Sequence, residues 1–317
     1  MDPLGDAVGD ASLGEVLEDV SGGGTLLSVQ PGGNHGDTLI YRGFDALVAD
    51  LAVDRVPFAA GENRYDGPPL PTLDARQTFR FVRQHALHLG HRLRTDPAAV
   101  YIHGGGNFND VWKGGINCLL TVARYFDCPV VVGPQSCRFE SIDPARVFDR
   151  VDNDLYFFCR EQYSLEIMRE ATAGRENVSL GLDHDTALAL APADLPLGET
   201  VGEAAVGETA GETAAEYALV AMRADRESAS PILGEDIAAP IRVSDASVAA
   251  SSFTEFVETV ARARVVYTDR LHVAIPATIL DIPVTWYEIG YHKARGVYEH
   301  SLADRETVTF VPREQWA

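Results

Sequence analysis

Arg270 and His272 flank Leu271 in VYTDRLHVAIPATIL, residues 266–280, where a β-rich run gives way to an apolar, helix-like one. Residues two apart in an extended chain project the same way, so a strand ending here would present both groups to one ligand, and that pairing suits an anion. In PGGNHGD (31–37), Asn34, His35 and Asp37 follow two glycines. A Gly-rich turn into a helix can receive an anion on its backbone N–H groups, yet Asp37 would repel a phosphate placed on it. Asp37 therefore either caps the helix or acts as a base toward a neutral hydroxyl. His103 precedes Gly104, Gly105, Gly106 and Asn107 in YIHGGGNFNDVW (101–112). Three glycines permit close backbone approach to a ligand, the alternative being a tight turn with a structural histidine. Gln135 and Ser136 in VVGPQSCRF (131–139) are uncharged hydrogen-bonding groups suited to sugar hydroxyls or to holding a loop. Arg160 ends an apolar run in FFCREQYS (157–164) and needs a partner: a ligand anion, Glu161 or another carboxylate.

Other groupings carry less chemistry. Cys118, Cys128, Cys137 and Cys159 show no CxxC spacing and sit in or beside apolar runs, which reads as buried free thiols. His85, His88 and His91 recur every third residue of a helix-period segment, a spacing that drifts around the helix, so no metal is expected there. Neither GxGxxG nor GxSxG occurs in the expected form, and no cofactor is predicted. Lys293 stands out because two of the 26 basic residues are lysines, Lys113 and Lys293; the other 24 are arginines. A lysine in so arginine-rich a set points either to a need for a compact ammonium or to a plain surface position.

Short apolar runs alternate with helix-period segments to position these groups. TLLSVQ (25–30), AAVYIHG (98–104), PVVVGPQ (129–135), LYFFCR (155–160) and VSLGLD (178–183) read as strands, with helices over 37–51, 72–93 and 160–172 between them. The pattern resumes with strands over 216–222, 263–269 and 283–289 and helices over 252–263 and 271–281. Such alternation predicts an α/β fold of parallel sheets with helical crossovers, arranged as two domains facing a cleft. The boundaries expected are a flexible acidic tail over 1–24, one domain over 25–177 and a second over 178–317. Within the second, APADLPLGETVGEAAVGETAGETAAE (191–216) repeats a Gly-Glu-Thr theme too polar to bury a core, a solvated linker or surface insertion.

Composition narrows the function. The formal charge of −21 opposes binding to nucleic acid and to anionic lipid unless a local basic cluster intervenes, and no run of Lys or Arg supplies one. Acid-rich, lysine-poor chains suit a cytosol of molar salt, where screening removes self-repulsion, so a halophilic source is inferred. The chain opens without a charged and apolar leader pattern and has no run of roughly 18 apolar residues, which predicts a soluble cytoplasmic protein with no transmembrane segment.

Seven elements stand in an order that resembles the polysaccharide pyruvyl transferase family: Asn34-His35-Gly36-Asp37, His103-Gly104-Gly105-Gly106-Asn107-Phe108, Pro134-Gln135-Ser136, Arg160-Glu161, Asp183, Thr268-Asp269-Arg270-Leu271-His272, and Tyr291-His292-Lys293-Ala294-Arg295-Gly296-Val297-Tyr298. The resemblance spans roughly residues 25 to 300. It implies a glycosyltransferase-B-like pair of Rossmann-like domains and transfer of a pyruvyl group from phosphoenolpyruvate to sugar hydroxyls as a ketal, in a cell-surface or exopolysaccharide precursor. On that reading Arg160, Arg270, His272 and Lys293 bind the donor. Asp37 is the base, with His103 a second candidate, and His272 can deliver a proton. Asn34, Gly104, Gly105, Gly106, Asn107, Gln135, Ser136 and Asp183 serve the acceptor or shape loops. A lipid-linked acceptor would bring the protein to the inner membrane surface. Two departures bear on the acceptor: Asn109-Asp110 replaces a second Gly-Asp, and LDHDTAL offers both Asp183 and Asp185. The rival readings are a nucleotide-sugar-dependent glycosyltransferase and a glycan-binding relative without turnover.

Overall fold

The structure is a computed structural model that describes residues 11–59, 75–197, 216–223 and 240–316. The chain divides into two compact units, Met1–Gly33 with Phe44–Thr186, and Asn34–Gly43 with Ala187–Ala317.

The first unit carries α1 (Leu13–Ser21), β1 (Thr25–Gln30), the end of α2 (His35–Leu47), β2 (Asp54–Ala59), α3 (Ala75–Arg92), β3 (Ala99–Ile102), β4 (Gly105–Asn109), α4 (Gly114–Tyr125), β5 (Val130–Arg138), α5 (Ala145–Phe148), β6 (Leu155–Cys159), α6 (Gln162–Ala171) and β7 (Val178–Leu182). Its parallel sheet runs β2-β1-β3-β5-β6-β7, with β4 also paired to β5. The period of two in a strand assigns successive side chains to opposite faces. Leu27, Val29, Val100, Ile102, Val130, Val132 and Phe157 join α4 and α6 residues in one core, while Leu26, Tyr101, Val131 and Phe158 join Leu13, Leu17 and Phe44 in another. Both faces are thus covered, which is why these strands read as continuous apolar runs.

The second unit carries β8 (Tyr217–Ala221), β9 (Ile241–Val243), α7 (Ala246–Ala249), α8 (Phe253–Ala261), β10 (Ala263–Thr268), α9 (Leu271–Ile279), β11 (Val284–Tyr287), α10 (Lys293–Val297) and β12 (Val308–Val311), together with residues 34–43 at the start of α2. Its sheet, again parallel, runs β12-β11-β10-β8-β9.

Four expectations change. Residues 12–21 are not a loose tail: Ser12 and Glu15 form a capping box at the start of α1, Gly22 closes it in the left-handed conformation, and Leu13, Val16 and Leu17 are buried. The boundary expected at 177/178 falls at 186/187, because β7 pairs with β6 and completes the first sheet. The glycine run read as a loop contains β4, which pairs with β5 from Gly105 opposite Gln135 and, after a register shift, from Phe108 opposite Cys137. Finally, Arg270 and His272 do not share a strand: Arg270 occupies the N-cap position of α9 without capping it and His272 lies in its first turn. Of the Gly-Glu-Thr segment, 191–197 form a short 3-10 turn and its flank, and 198–215 lie outside the described residues. No helix among the described residues is long and apolar enough to cross a membrane.

Two candidate ligand sites at strand ends

Open parallel sheets bind ligands beyond the carboxyl ends of strands where the strand order reverses. That point lies between β1 and β3 in the first unit and between β8 and β10 in the second.

In the first unit the candidates are buried and engaged with one another. His103 N donates to Val29 O at 3.1 Å, Gln135 Nε2 to His103 O at 3.2 Å, and Arg160 N to Gln135 O at 3.1 Å, so the ends of β1, β3, β5 and β6 are laced together. Gly104 is needed for that approach, since a Cβ there would lie 2.4 Å from Pro134 O. The Arg160 guanidinium donates from Nε to Ser136 Oγ at 2.8 Å and from Nη1 to Asp185 Oδ2 at 2.5 Å, with both ion-pair side chains 1% exposed. Its partner is Asp185, not Glu161, which caps α6 by accepting from Ser164 N at 2.9 Å. Asp183 Oδ2 accepts from Leu13 N at 2.7 Å, anchoring the start of α1. His103 packs edge-on against Phe44 and Tyr101, and burial pushes its pKa down to about 3. Such an imidazole is neutral at pH 7 and too weakly basic to accept a hydroxyl proton well. Asn107, half-buried after Gly106, has a buried Oδ1 with no hydrogen-bond partner. Asn109 and Asp110, where the sequence departs from Gly-Asp, hold backbone. Asn109 Oδ1 accepts from Val111 N and Trp112 N at 2.9 Å each, and Asp110 accepts from the 140–142 backbone.

In the second unit two sequence motifs meet. Asn34 Oδ1 accepts from Gly36 N at 2.8 Å and Asp37 Oδ2 from Asn34 N at 2.9 Å, a reciprocal cap at the start of α2. His35 Nε2 lies 3.0 Å from Ala250 O, and its ring stacks on Phe256. Gly36 faces His272: a Cβ at 36 would sit 2.7 Å from His272 Cβ and 2.9 Å from Nδ1. Only glycine allows Asn34-His35-Gly36-Asp37 to lie so close to Arg270-Leu271-His272.

The junction after β10 is shaped by its own sequence. Thr268 Oγ1 donates to Ala221 O at 2.6 Å and accepts from Arg270 N at 3.0 Å, joining the ends of β10 and β8. Asp269 Oδ1 accepts from Arg223 N at 2.8 Å; Oδ2, also buried, has no hydrogen-bond partner, and burial raises the carboxyl pKa above its ordinary range. Arg270 pairs with Asp245, the side chains being 7% and 19% exposed. His272 departs from helical geometry at φ −82°, ψ 15°, because Pro276, four residues on, has no N–H for its carbonyl and crowds it sterically. Lys293 opens α10 largely buried, with Nζ 5.1 Å from the centre of the Tyr291 ring, whereas Lys113 is exposed. Nearby in sequence, Arg295 forms paired hydrogen bonds to Glu288 at 2.9 and 2.8 Å.

The sequence did not point to Asp245, and it offered Asp269 within the motif without a role for its carboxylate. Pro276 was a usable signal for the displaced His272 backbone.

Known proteins give a consistent family and fold. Residues 34–291 match the polysaccharide pyruvyl transferase family, from the Asn34 motif to Tyr291 and stopping before Lys293. A functionally uncharacterised protein, KP1_0663 of Klebsiella pneumoniae, superposes with a TM-score of 0.60 at 19% identity over 94% of this chain and 96% of that one. UDP-GlcNAc 2-epimerase of Neisseria meningitidis, solved with UDP-GlcNAc bound, superposes with a TM-score of 0.50 at 10% identity over 83% of this chain and 82% of its own. Both likenesses concern the fold alone, an α/β architecture of parallel sheets with helical crossovers. No curated protein matches the chain. With most of its length matched and the motifs of the second unit assembled around Gly36 and His272, the chain belongs to the polysaccharide pyruvyl transferase family.

Proposed function

We propose that the protein transfers the pyruvyl group of phosphoenolpyruvate to two hydroxyls of a saccharide acceptor, forming a cyclic ketal, and that the donor binds at the α9 junction of the second unit. The observation that carries this placement is the uncapped start of α9: Arg270 holds the N-cap position without a side-chain cap hydrogen bond, and no acidic residue occupies the first turn. A helix start of this kind favours an anion, and Arg270 adds a full positive charge. The corresponding helix of the first unit, α6, has its start already filled by Glu161. Arg160 accordingly takes a structural role, and the donor falls to Arg270, His272 and Lys293.

The chemistry follows from the donor. Protonation of the enol methylene makes it a methyl group and leaves the neighbouring carbon electrophilic. A first sugar hydroxyl attacks that carbon and gives up its proton; phosphate leaves with the bridging oxygen; a second hydroxyl attacks the same carbon and closes the ketal. Of the two hydroxyl protons, one balances that placed on the methyl group and the other leaves with phosphate or solvent. His272 supplies the proton and Asp37, next in sequence to the Gly36 that faces His272, receives one. Asp37 accepts from Asn34 N through Oδ2, so its capping role also fixes the carboxylate in place.

The test is thermal stability in high salt with and without phosphoenolpyruvate, since a ligand that binds the native state raises its stability. Wild type gains stability and Arg270→Ala does not. A gain from UDP-GlcNAc but not from phosphoenolpyruvate would overturn the proposal in favour of a nucleotide-sugar donor, the ligand class seen in the epimerase. Acceptor identity, a lipid-linked acceptor, cytoplasmic location and a halophilic source belong to the same proposal.

A further inference from the structure

Helix α3 turns an unusually polar side to the protein: Gln84 Nε2 donates to Thr121 Oγ1 at 2.6 Å, His85 Nδ1 lies 2.9 Å from Tyr125 OH, and the rings of His88 and His91 pack on Phe58, with Leu87 adding one aliphatic contact to the core. Its outer side is apolar: Phe79 is 65% exposed, Val82 54%, Leu89 46% and, just past its end, Leu93 77%. These positions follow helical spacing and form one ridge with the exposed Ala86. A single exposed leucine needs no explanation, but a continuous ridge on the face opposite a polar one does.

The charge around the ridge is equally unusual. In a chain of net charge −21, residues 75–95 contain five arginines and no aspartate or glutamate. Arg80, Arg83 and Arg94 are exposed, and no ion pair is formed by them among the described residues. An apolar ridge flanked by exposed arginines fits a surface that is itself apolar beneath an anionic layer. We propose that α3 is a membrane-docking helix that lies in the headgroup region of an anionic bilayer, with Phe79, Val82, Leu89 and Leu93 entering the acyl boundary and Arg80, Arg83 and Arg94 meeting lipid phosphates. A second copy of the chain could bury the ridge but would place like charges against each other. The inference concerns where the protein works and is independent of the donor chemistry.

Flotation of the full chain with phosphatidylcholine vesicles carrying increasing phosphatidylglycerol tests this, at low and at molar salt. Wild type floats, increasingly so with anionic lipid. Phe79→Ser with Leu93→Ser lowers partitioning by about tenfold or more in either salt, because an apolar contribution is not screened. Arg80→Gln, Arg83→Gln and Arg94→Gln together lower it by about a hundredfold at low salt and far less at molar salt. Val243→Ser, at an equally exposed apolar position of the second unit, changes nothing. All variants keep the wild-type melting temperature, since the replaced side chains are exposed. Failure of wild type to float at any lipid composition would sink the proposal, as would flotation indifferent to these substitutions. A dimer seen by sedimentation without vesicles and lost in Phe79→Ser with Leu93→Ser would assign the ridge to a second copy instead.

Discussion

Arg160 and Arg270 stand at similar points of the two units, each between a parallel strand and the helix that follows, and each paired with an aspartate 25 residues away in sequence. The surroundings differ. Arg160 is sealed with Asp185, its Nε held by Ser136, while Glu161 completes the start of the next helix from within the protein. Arg270 faces an aspartate that keeps some solvent exposure, at a helix whose start no side chain caps. Identical residue types at comparable junctions therefore differ in their surroundings: the first ties the carboxyl ends of β5 and β6 to the segment after β7, and the second stands at a helix start that no side chain caps.

The sharpest way to break this contrast is to remove the carboxylates in turn. Asp185→Ala leaves a guanidinium buried without its counter-charge and should cost about 3–5 kcal/mol in urea unfolding, whereas Asp245→Ala, at a partly exposed pair, costs about 1 kcal/mol. Equal losses would erase the distinction between the junctions. Acid should also act through the first unit, where burial lowers the pKa of His88 to about 4 and of His103 to about 3. The unfolded chain protonates these histidines below about pH 6.5 while the folded one resists. The stability they contribute is complete above that pH and declines through the acid range by about 1.4 kcal/mol per pH unit per histidine, for His88 down to its folded value. Unfolding of His88→Leu between pH 6.5 and 4 should show a correspondingly shallower decline. In the second unit the expected losses are of turnover. Gly36→Ala pushes a methyl group into His272 and should lower turnover about a hundredfold through misplacement of the imidazole, with a melting temperature only slightly reduced. Pro276→Ala restores the N–H that His272 O lacks, straightens the first turn of α9 and should lower turnover by about tenfold at unchanged or higher stability. Normal turnover in Pro276→Ala would show that the irregular backbone at His272 is incidental.

Much of the fold was legible because a strand covered on both faces leaves an apolar run, as in TLLSVQ and LYFFC, and because such runs end in polar residues where ligands bind. Helix α1 was missed although Ser12-Leu13-Gly14-Glu15 carries a capping-box pattern, because the glycines and acids around it dominate local composition. Strand β4 was missed for a related reason: its backbone follows from close pairing with β5, and glycine permits that approach without advertising it. The site was legible as motifs but not as partnerships. Nothing in the spacing says that Arg160 takes Asp185 rather than Glu161, or that Gly36 is glycine because His272 is beside it; both depend on residues far apart in sequence.

The allocation of residues 34–43 to the second unit has a consequence for the protein's evolution and engineering. A gene cut between codons 186 and 187 would not yield two interchangeable modules, since the C-terminal fragment would lack the ten residues that bring Asp37 and Gly36 to His272. Hybrids that graft the C-terminal half of one relative onto the N-terminal half of another should succeed only when the donor of that half also contributes its Asn34–Gly43 equivalent. Substitutions in these two stretches should accordingly be inherited together, binding an early ten-residue piece of the chain to the fate of a late one.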